Sequence, residues 1–348
     1  YPTAKKYLDY DDLDLHYYPS GANIRTLGEH ALEWFGAPFL FPNKFKIGNK
    51  LDVSFADYLK LCFEVLNGSY PDTIEMSNSS LTSIYLKERY SKTLVEKFLM
   101  PFFKGVFLEK ECNVSKLLFS YYLHCFAKGG AAIPKEGIEA IPRQLITSIS
   151  EDKIKCDSKV SKVQEKCIVF NDGRKVYANQ IIFACDQKGI SELVDDILPP
   201  EKPRSVYTTF FSTTILDSLG PLNFILNTDT NSQISIPTLI NNHYSENNDH
   251  LCMVTTIGQD ENSNMASNST DPQLVKKELK ESLGSQIDEW TFQFAHSIKY
   301  ALPSITTVKN QLSDSYYFCG DWMSFGSIES AMKSGEAAAF SVLNKLKS

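Results

Sequence analysis

Gly320 and Asp321 follow an apolar run at 316–319, and Gly326 and Ser327 come five residues later. From Ile328 onward, Ala331, Met332, Gly335, Ala338, Ala339 and Val342 fall on one face at helical spacing. Such small residues let a helix lie close to a sheet or to another helix. A strand, a Gly-Asp, a Gly-Ser and a helix start together make a site for an anion and a diol. The helix start offers unpaired N–H groups and a positive dipole end, and the Asp321 carboxylate can accept hydrogen bonds from sugar-type hydroxyls. The same residues also read as an ordinary strand–turn–helix with Ser327 as N-cap. The local pattern leaves both readings open.

Other chemistry-bearing residues form no recognisable set. The six histidines (16, 30, 124, 243, 250 and 296) show no metal-ligand spacing such as H-E-x-x-H. His124 lies inside an apolar run and reads as a core histidine. No Ser-His-Asp or Cys-His arrangement follows from spacing, so the catalytic residue stays unknown and no metal site is expected. Eight cysteines, at 62, 112, 125, 156, 167, 185, 252 and 319, include no C-x-x-C pair. In a chain of this length they read as free, mostly buried thiols in a reducing compartment, which points to the cytoplasm.

The elements that must position the C-terminal motif are legible in outline. Residues 153–186 alternate apolar and polar, turn at Asn171-Asp172-Gly173, and end in the continuous apolar run at 181–185. That is a β-meander feeding a strand buried on both faces. Residues 205–258 are β-rich, with an Asn- and Ser-rich stretch at 226–250 expected to be looped, and a second polar loop is expected at 259–271. Pro272 opens a helix to Leu283, and a strand from Trp290 ends at Ala301-Leu302-Pro303. Nearer the N-terminus, Pro38 and Pro42 punctuate the chain. Val53, Phe55, Leu59, Phe63 and Leu66 mark a helix stopped by Gly68. Further helices are expected at 80–90 and 92–100, ended by Pro101 with an apolar loop after it. Another helix is expected from about Pro142.

Composition limits the function classes. Of 348 residues, 43% are hydrophobic and 22% charged, ordinary values for globular proteins. The net charge of −7 argues against nucleic acid as a partner. No stretch reaches the length of a membrane span, and the first residues have neither the basic nor the apolar region of a signal peptide. The aromatic clusters at 98–107 and 117–126 suit either a hydrophobic substrate cavity or the plain core of a helical domain. A weak contact with a membrane surface stays open, although no basic amphipathic helix is visible in the sequence.

The segment 320–339, GDWMSFGSIESAMKSGEAAA, resembles the C-terminal FAD signature of the flavin-containing amine oxidase superfamily. The stretches FLMPFFKGVFLEKE (98–111), GGAAIPKEGIEAIPRQL (129–145) and YPTAKKYLDYDDLDLHYYPSGANI (1–24) resemble a branch of FAD-dependent oxidoreductases related to phytoene desaturase and protoporphyrinogen oxidase. The resemblance covers essentially the whole chain. It implies an α/β fold: a Rossmann-like, three-layer FAD-binding domain from 129–188 and 300–348, and an α+β substrate domain from 15–128 and 189–299. It implies FAD as cofactor, a hydride transferred to it, and an apolar small-molecule substrate. Val160 matches the valine beside the adenine, and Ala184 the small residue where the cofactor passes the strand end. Gly320 and Asp321 match the acidic strand end near the ribityl and pyrophosphate. Gly326, Ser327, Ile328 and Ala331 match the helix start beside the flavin. The segment 301–303 matches one near the isoalloxazine edge.

Two departures from the family's pattern carry consequences. There is no G-x-G-x-x-G; no two glycines are separated by a single residue. The family places that loop before the position of Tyr1, so the chain is expected to lack about sixty residues of an N-terminal βαβ unit. A non-catalytic fragment or binding module that keeps the fold without FAD is therefore the alternative reading. A protein that sequesters an apolar ligand without redox chemistry is another. Second, amine oxidases place an aromatic residue at the position of Ser327 as one wall of a cage around the amine. A serine cannot clamp an amine in that way, which favours carbon–carbon desaturation or isomerisation.

Overall fold

The computed structural model describes residues 1–18, 21–25, 32–36, 53–195, 197, 199, 204–213, 225–227, 234–240, 250–257, 271–303 and 315–347. Pro38, Pro42 and all but the last residue of the loop expected at 259–271 lie outside them. The chain divides into two compact units, residues 1–15, 134–203 and 302–348, and residues 16–133 and 204–301.

In the first unit, helix α1 (Pro2–Tyr7) leads into the strand β1 (Leu15–Tyr18), at the boundary of the unit. Strands β5 (Val160–Gln164), β6 (Cys167–Phe170) and β7 (Lys175–Tyr177) form the expected antiparallel meander. Gly173 sits at φ +85° in the β6–β7 turn, a conformation glycine adopts without steric cost. Strand β8 (Ile181–Phe183) pairs in parallel with β14 (Tyr316–Phe318), residue for residue from Ile181↔Tyr316 to Phe183↔Phe318. The pair is covered on both faces. On one, Phe183 and Phe318 stack with ring centroids 5.2 Å apart and join Ile181, Trp322 and Met323. Ile190 of the short helix α9 (Gln187–Ser191) and the meander residues Val163 and Ile168 pack on that cluster. On the other, Tyr317 and Cys319 meet Ala338 and Val342 of the long helix α11 (Ile328–Lys347). Alanine at 338 is what allows that approach. Helix α8 (Ala140–Ile146) packs Ile141 and Leu145 against Ala4, Leu8 and Leu13.

The second unit has a helical part and a sheet part. Strand β4 (Ala131–Pro134) pairs with β1, and β2 (Gly21–Arg25) lies between β3 (Leu32–Gly36) and β10 (Ile225–Asn227), parallel to the latter. The main sheet has the order β11 (Ile234–Ile240), β12 (His250–Ile257), β9 (Arg204–Thr213), β13 (Thr291–Leu302). Strand β11 corrects the expectation of a loop across 226–250: its segment Ile-Ser-Ile-Pro-Thr-Leu-Ile pairs antiparallel with β12. Helix α10 (Pro272–Leu283) covers one face of this sheet, placing Val275, Leu279 and Leu283 on Phe211, Cys252, Val254 and Trp290.

The helical part comprises α2 (Phe55–Asn67), α3 (Thr73–Asn78), α4 (Thr82–Arg89), α5 (Lys92–Leu94), α6 (Met100–Phe107) and α7 (Lys116–Gly129). Pro101 does not end a helix, as the sequence suggested. A π-helical turn at Val95–Leu99 breaks the α-helical ladder, and α6 restarts with Pro101 in its first turn, where a missing N–H removes no intrahelical bond. The apolar segment expected as a loop is therefore α6. Its Phe103 packs against Phe119 of α7 at 4.7 Å between ring centroids, so the aromatic clusters form the core of this part. Buried Glu64 accepts hydrogen bonds from Tyr85 (2.5 Å) and Ser120, with Arg89 Nε 3.8 Å away. His124 Nδ1 lies 2.7 Å from the Val65 carbonyl, as befits a satisfied core histidine. All eight cysteines are free. Cys112, Cys252 and Cys319 are buried and burial pushes their thiols up, that of Cys112 to about 12, whereas Cys156 and Cys185 are exposed, contrary to the expectation of mostly buried thiols.

Trp290 is 2% exposed, and its indole N–H has no partner among the described residues. Its contribution is therefore apolar volume, offset by an unsatisfied donor. Trp290→Ala is expected to cost about 3–5 kcal/mol. Trp290→Phe, which removes the unpaired donor along with some volume, is expected to cost less than about 1.5 kcal/mol. Urea unfolding of the two variants checks the difference.

Candidate functional site

Strands β8 and β14 run in parallel, so their carboxyl ends lie side by side. Ligands of open α/β sheets bind outside such ends. Past the last paired residues the strands remain tied. Cys319 N–H donates to the Phe183 carbonyl (2.9 Å), and the buried Trp322 donates its indole N–H to the Cys185 carbonyl (3.2 Å). Ala184 and Cys185 are thereby held beside Cys319 and Gly320, with Ala184 exposed.

Gly320 adopts φ +146°, ψ +163°. A Cβ there would come within 2.5 Å of the Trp322 ring, so both the backbone and the space demand glycine. Ser334, one and a half turns into α11, holds this residue: its Oγ accepts the Gly320 N–H (2.9 Å) and lies 3.0 Å from the Gly320 carbonyl. Asp321 then opens a single 3₁₀ turn to Met323. Its carboxyl group is half-buried. Burial pushes its pKa above the ordinary value; the backbone N–H groups of Trp322 and of Asp321 itself oppose this, and the charge of Asp186 adds a smaller upward push. Asp186 is the N-cap of α9, its Oδ1 accepting from Gly189 N–H at 2.5 Å.

Gly326 lies against the segment that ends β13. A Cβ at 326 would fall 2.5 Å from Leu302 Cδ2 and 3.1 Å from Pro303 Cδ. Ser327 caps α11: its Oγ accepts the Ser330 N–H (3.0 Å), and its carbonyl accepts from Ala331 N–H (3.0 Å). Ile328 is exposed and Ala331 half-buried at the first turn. Val160 stands apart from this group. It begins β5 opposite Phe170, half-buried, on the meander that reaches the β8–β14 core through Val163 and Ile168. All eight residues singled out from sequence thus belong to the first unit, and Ala184, Gly320, Asp321, Gly326, Ser327, Ile328 and Ala331 lie along the β8 end, the β14 end and the α11 start.

The sequence reading missed Ser334 and Glu329. Glu329 is 1% exposed, and its carboxylate accepts the Thr3 N–H (2.9 and 3.0 Å to its two oxygens) and the Ala4 N–H (3.0 Å). A negative side chain from the first turn of α11 thereby caps the N-terminus of α1. The signal for this was weak: every helix start needs acceptors, but no sequence rule says which distant carboxylate supplies them. Among the described residues no group of His, Cys, Asp or Glu could hold a metal ion, and no helix is long and apolar enough to cross a membrane.

The structure thus gathers two parallel strand ends, a half-buried carboxyl group and a serine-capped helix start. Residues 32–343 match the family described as flavin containing amine oxidoreductase, and the chain belongs to that family. Its fold is the mixed α/β fold of amine oxidases. An oxidoreductase from Methanosarcina mazei superimposes with a TM-score of 0.68 at 16% identity, over 95% of this chain and 81% of that one. Wild-type putrescine oxidase bound to putrescine gives 0.62 at 10% identity, over 99% and 86%. Reduced UDP-galactopyranose mutase gives 0.53 at 12% identity, over 84% and 70%. No match is found among curated proteins.

Because burial raises the folded-state pKa of Asp321, the folded chain binds more protons than the unfolded chain as pH rises through the carboxylate range. Stability contributed by this group is present below its unfolded pKa and lost as pH rises through the folded value. Asp321→Asn is therefore expected to melt at a higher temperature than the parent at neutral pH, with the gap closing on acidification. Thermal melts across that pH range check this.

Proposed function

We propose that the chain binds FAD at the β8 and β14 ends and is an oxidoreductase acting on an apolar organic substrate. The observation that carries this reading is Asp321, a half-buried carboxyl group fixed between two parallel strand ends and the start of α11. In this reading Asp321 takes hydroxyl hydrogen bonds from the cofactor's sugar-like chain. Gly320 and Gly326 keep the backbone close, and Ala184 leaves room at the strand end. Val160 contacts the adenine end. When bound, FAD would supply the hydride acceptor; the protein supplies orientation and a dry pocket.

Two features support an apolar substrate over an amine. Ser327 Oγ is committed to the Ser330 N–H and so caps the helix rather than facing a substrate. The main sheet of the second unit has one face covered by α10 and the opposite face carrying Phe210, Leu251 and Met253, all half-buried, with Phe210 stacked on the exposed Phe294 at 4.4 Å. An aromatic and methionine surface of this kind suits a flexible apolar molecule. Carbon–carbon desaturation or isomerisation fits it better than oxidation of an amine.

The visible spectrum tests the proposal. The purified chain, and the chain extended by any coding sequence found upstream of it in frame, are each incubated with FAD, freed of excess and scanned. Flavin bands are expected in at least the extended form and are expected to vanish in Asp321→Ala. If neither form retains flavin, the oxidoreductase reading fails and a binding module without FAD takes its place.

A further inference from the structure

Ser334 is a polar residue on an apolar stripe. It shares the face of α11 with Ala331, three residues before it, and Ala338, four after it. Ala338 packs on Tyr317 of β14 and on Cys319 just beyond. An alanine at 334 would allow the same close approach, so the hydroxyl needs another reason. A serine inside a helix often turns back on the carbonyl of its own preceding turn; Ser341 does this with the Ala337 carbonyl (2.9 Å). Ser334 also lies 2.8 Å from the Ala331 carbonyl, but it grips a second element as well. Its Oγ accepts the Gly320 N–H (2.9 Å), which has no other acceptor among the described residues, and lies 3.0 Å from the Gly320 carbonyl. That carbonyl also accepts the Met323 N–H (3.2 Å) and so closes the 3₁₀ turn that Asp321 opens. One side chain thus holds both peptide units that flank Gly320, a residue type with the greatest backbone freedom, and the second of those units leads directly into Asp321.

We propose that Ser334 is a positioning residue of the cofactor site: by clamping Gly320 on both sides it fixes the place of the Asp321 carboxyl group, and thereby the strength with which the site grips FAD. The inference rests on the FAD reading for its ligand and on the hydrogen bonds for its geometry. Without the hydroxyl, the Gly320 N–H loses its acceptor and the peptide between Gly320 and Asp321 is free to rotate. Asp321 then turns toward water. Of the charged groups around it, Asp186 acts on Asp321. The thiols of Cys185 and Cys319 are pushed up and stay neutral. On α11, Glu329 is turned to α1, and Glu336 to Lys6 and Tyr7. Removing the Asp321 charge by substitution therefore reads its burial separately from these neighbours.

The test is a mutant cycle melted without FAD at neutral and acidic pH: the parent, Asp321→Asn, Ser334→Ala and the double variant. Burial raises the Asp321 pKa, so Asp321→Asn gains melting temperature over the parent at neutral pH. In the Ser334→Ala background that gain is expected to fall by about half or more, because the carboxylate has left its half-buried place. In Ser334→Thr, which keeps a hydroxyl, the gain is expected to persist. A merely structural serine would lower every melting temperature and leave the gain unchanged; that result overturns the proposal, as does a parent in which Asp321→Asn gains nothing. If Ser334→Ala does not fold, Ser334→Cys, a weaker donor and acceptor, takes its place in the cycle. Flavin fluorescence then measures FAD binding in whichever form of the chain retains flavin. Ser334→Ala is expected to bind about tenfold more weakly and Ser334→Thr as the parent does; unchanged binding in Ser334→Ala overturns the proposal. If no form binds FAD while the melting cycle keeps its expected pattern, the FAD reading fails and the hold of Ser334 on Asp321 stands.

Discussion

The parallel pairing of β8 with β14 is the constraint on which the candidate site depends. Residues 181–183 and 316–318 are far apart in sequence, and a three-residue parallel ladder has few hydrogen bonds with which to hold a register. Packing on both faces supplies what the ladder lacks. The stacked Phe183 and Phe318 lock one face and the Tyr317–Ala338 contact locks the other. A slip by one residue would flip one strand against the other, put the two phenylalanines on opposite faces and undo their stack. With the register fixed, Trp322 can reach the Cys185 carbonyl, Ser334 can hold Gly320 through its backbone, and Asp321 is left half-buried between strand ends.

A second consequence concerns the N-terminal helix. The carboxylate of Glu329 is buried, and its partners are backbone N–H groups of α1. Burying a charge without partners would be costly, whereas backbone donors at a helix start satisfy it and add a favourable dipole. Helix α11 therefore serves two ends of its own first turn: Ser327 caps it, and Glu329, two residues later, caps α1. Lys6 and Tyr7 add contacts to Glu336 two turns further along. The start of α11 and the first residues of the chain are thus one packed assembly.

How much of this was legible in the sequence depends on the range of the interactions. The meander at 160–177 was readable because its alternation and its Asn-Asp-Gly turn are local. The strand–Gly-Asp–Gly-Ser–helix order at the C-terminus was readable for the same reason. Strand β11 was hidden because asparagines and serines surround it, and its pairing with β12 is a tertiary fact. Helix α6 was hidden because proline in a sequence signals a helix stop, whereas here the preceding π-turn makes it a start. The roles of Ser334 and Glu329 were invisible, since each acts on backbone distant in sequence or on the far side of a loop.

Periodicity also fails to say which way a helix faces. Phe55, Leu59, Phe63 and Leu66 form the more conspicuous apolar series of α2, and the hydrophobic effect alone would turn them inward. The structure turns them outward because the other side carries Asp57 and Glu64. Asp57 accepts Ser91 N–H (3.2 Å) and lies 3.5 Å from Lys60; Glu64 takes the Tyr85 and Ser120 hydroxyls. Rotating the helix to bury the phenylalanines would take away the Glu64 acceptor of the Tyr85 hydroxyl and the Asp57 acceptor of the Ser91 N–H. Each unsatisfied buried polar group costs about 1–3 kcal/mol, comparable to what burial of one large apolar side chain returns. The specificity of the polar network therefore decides the orientation, and the apolar stripe on the outside is its consequence.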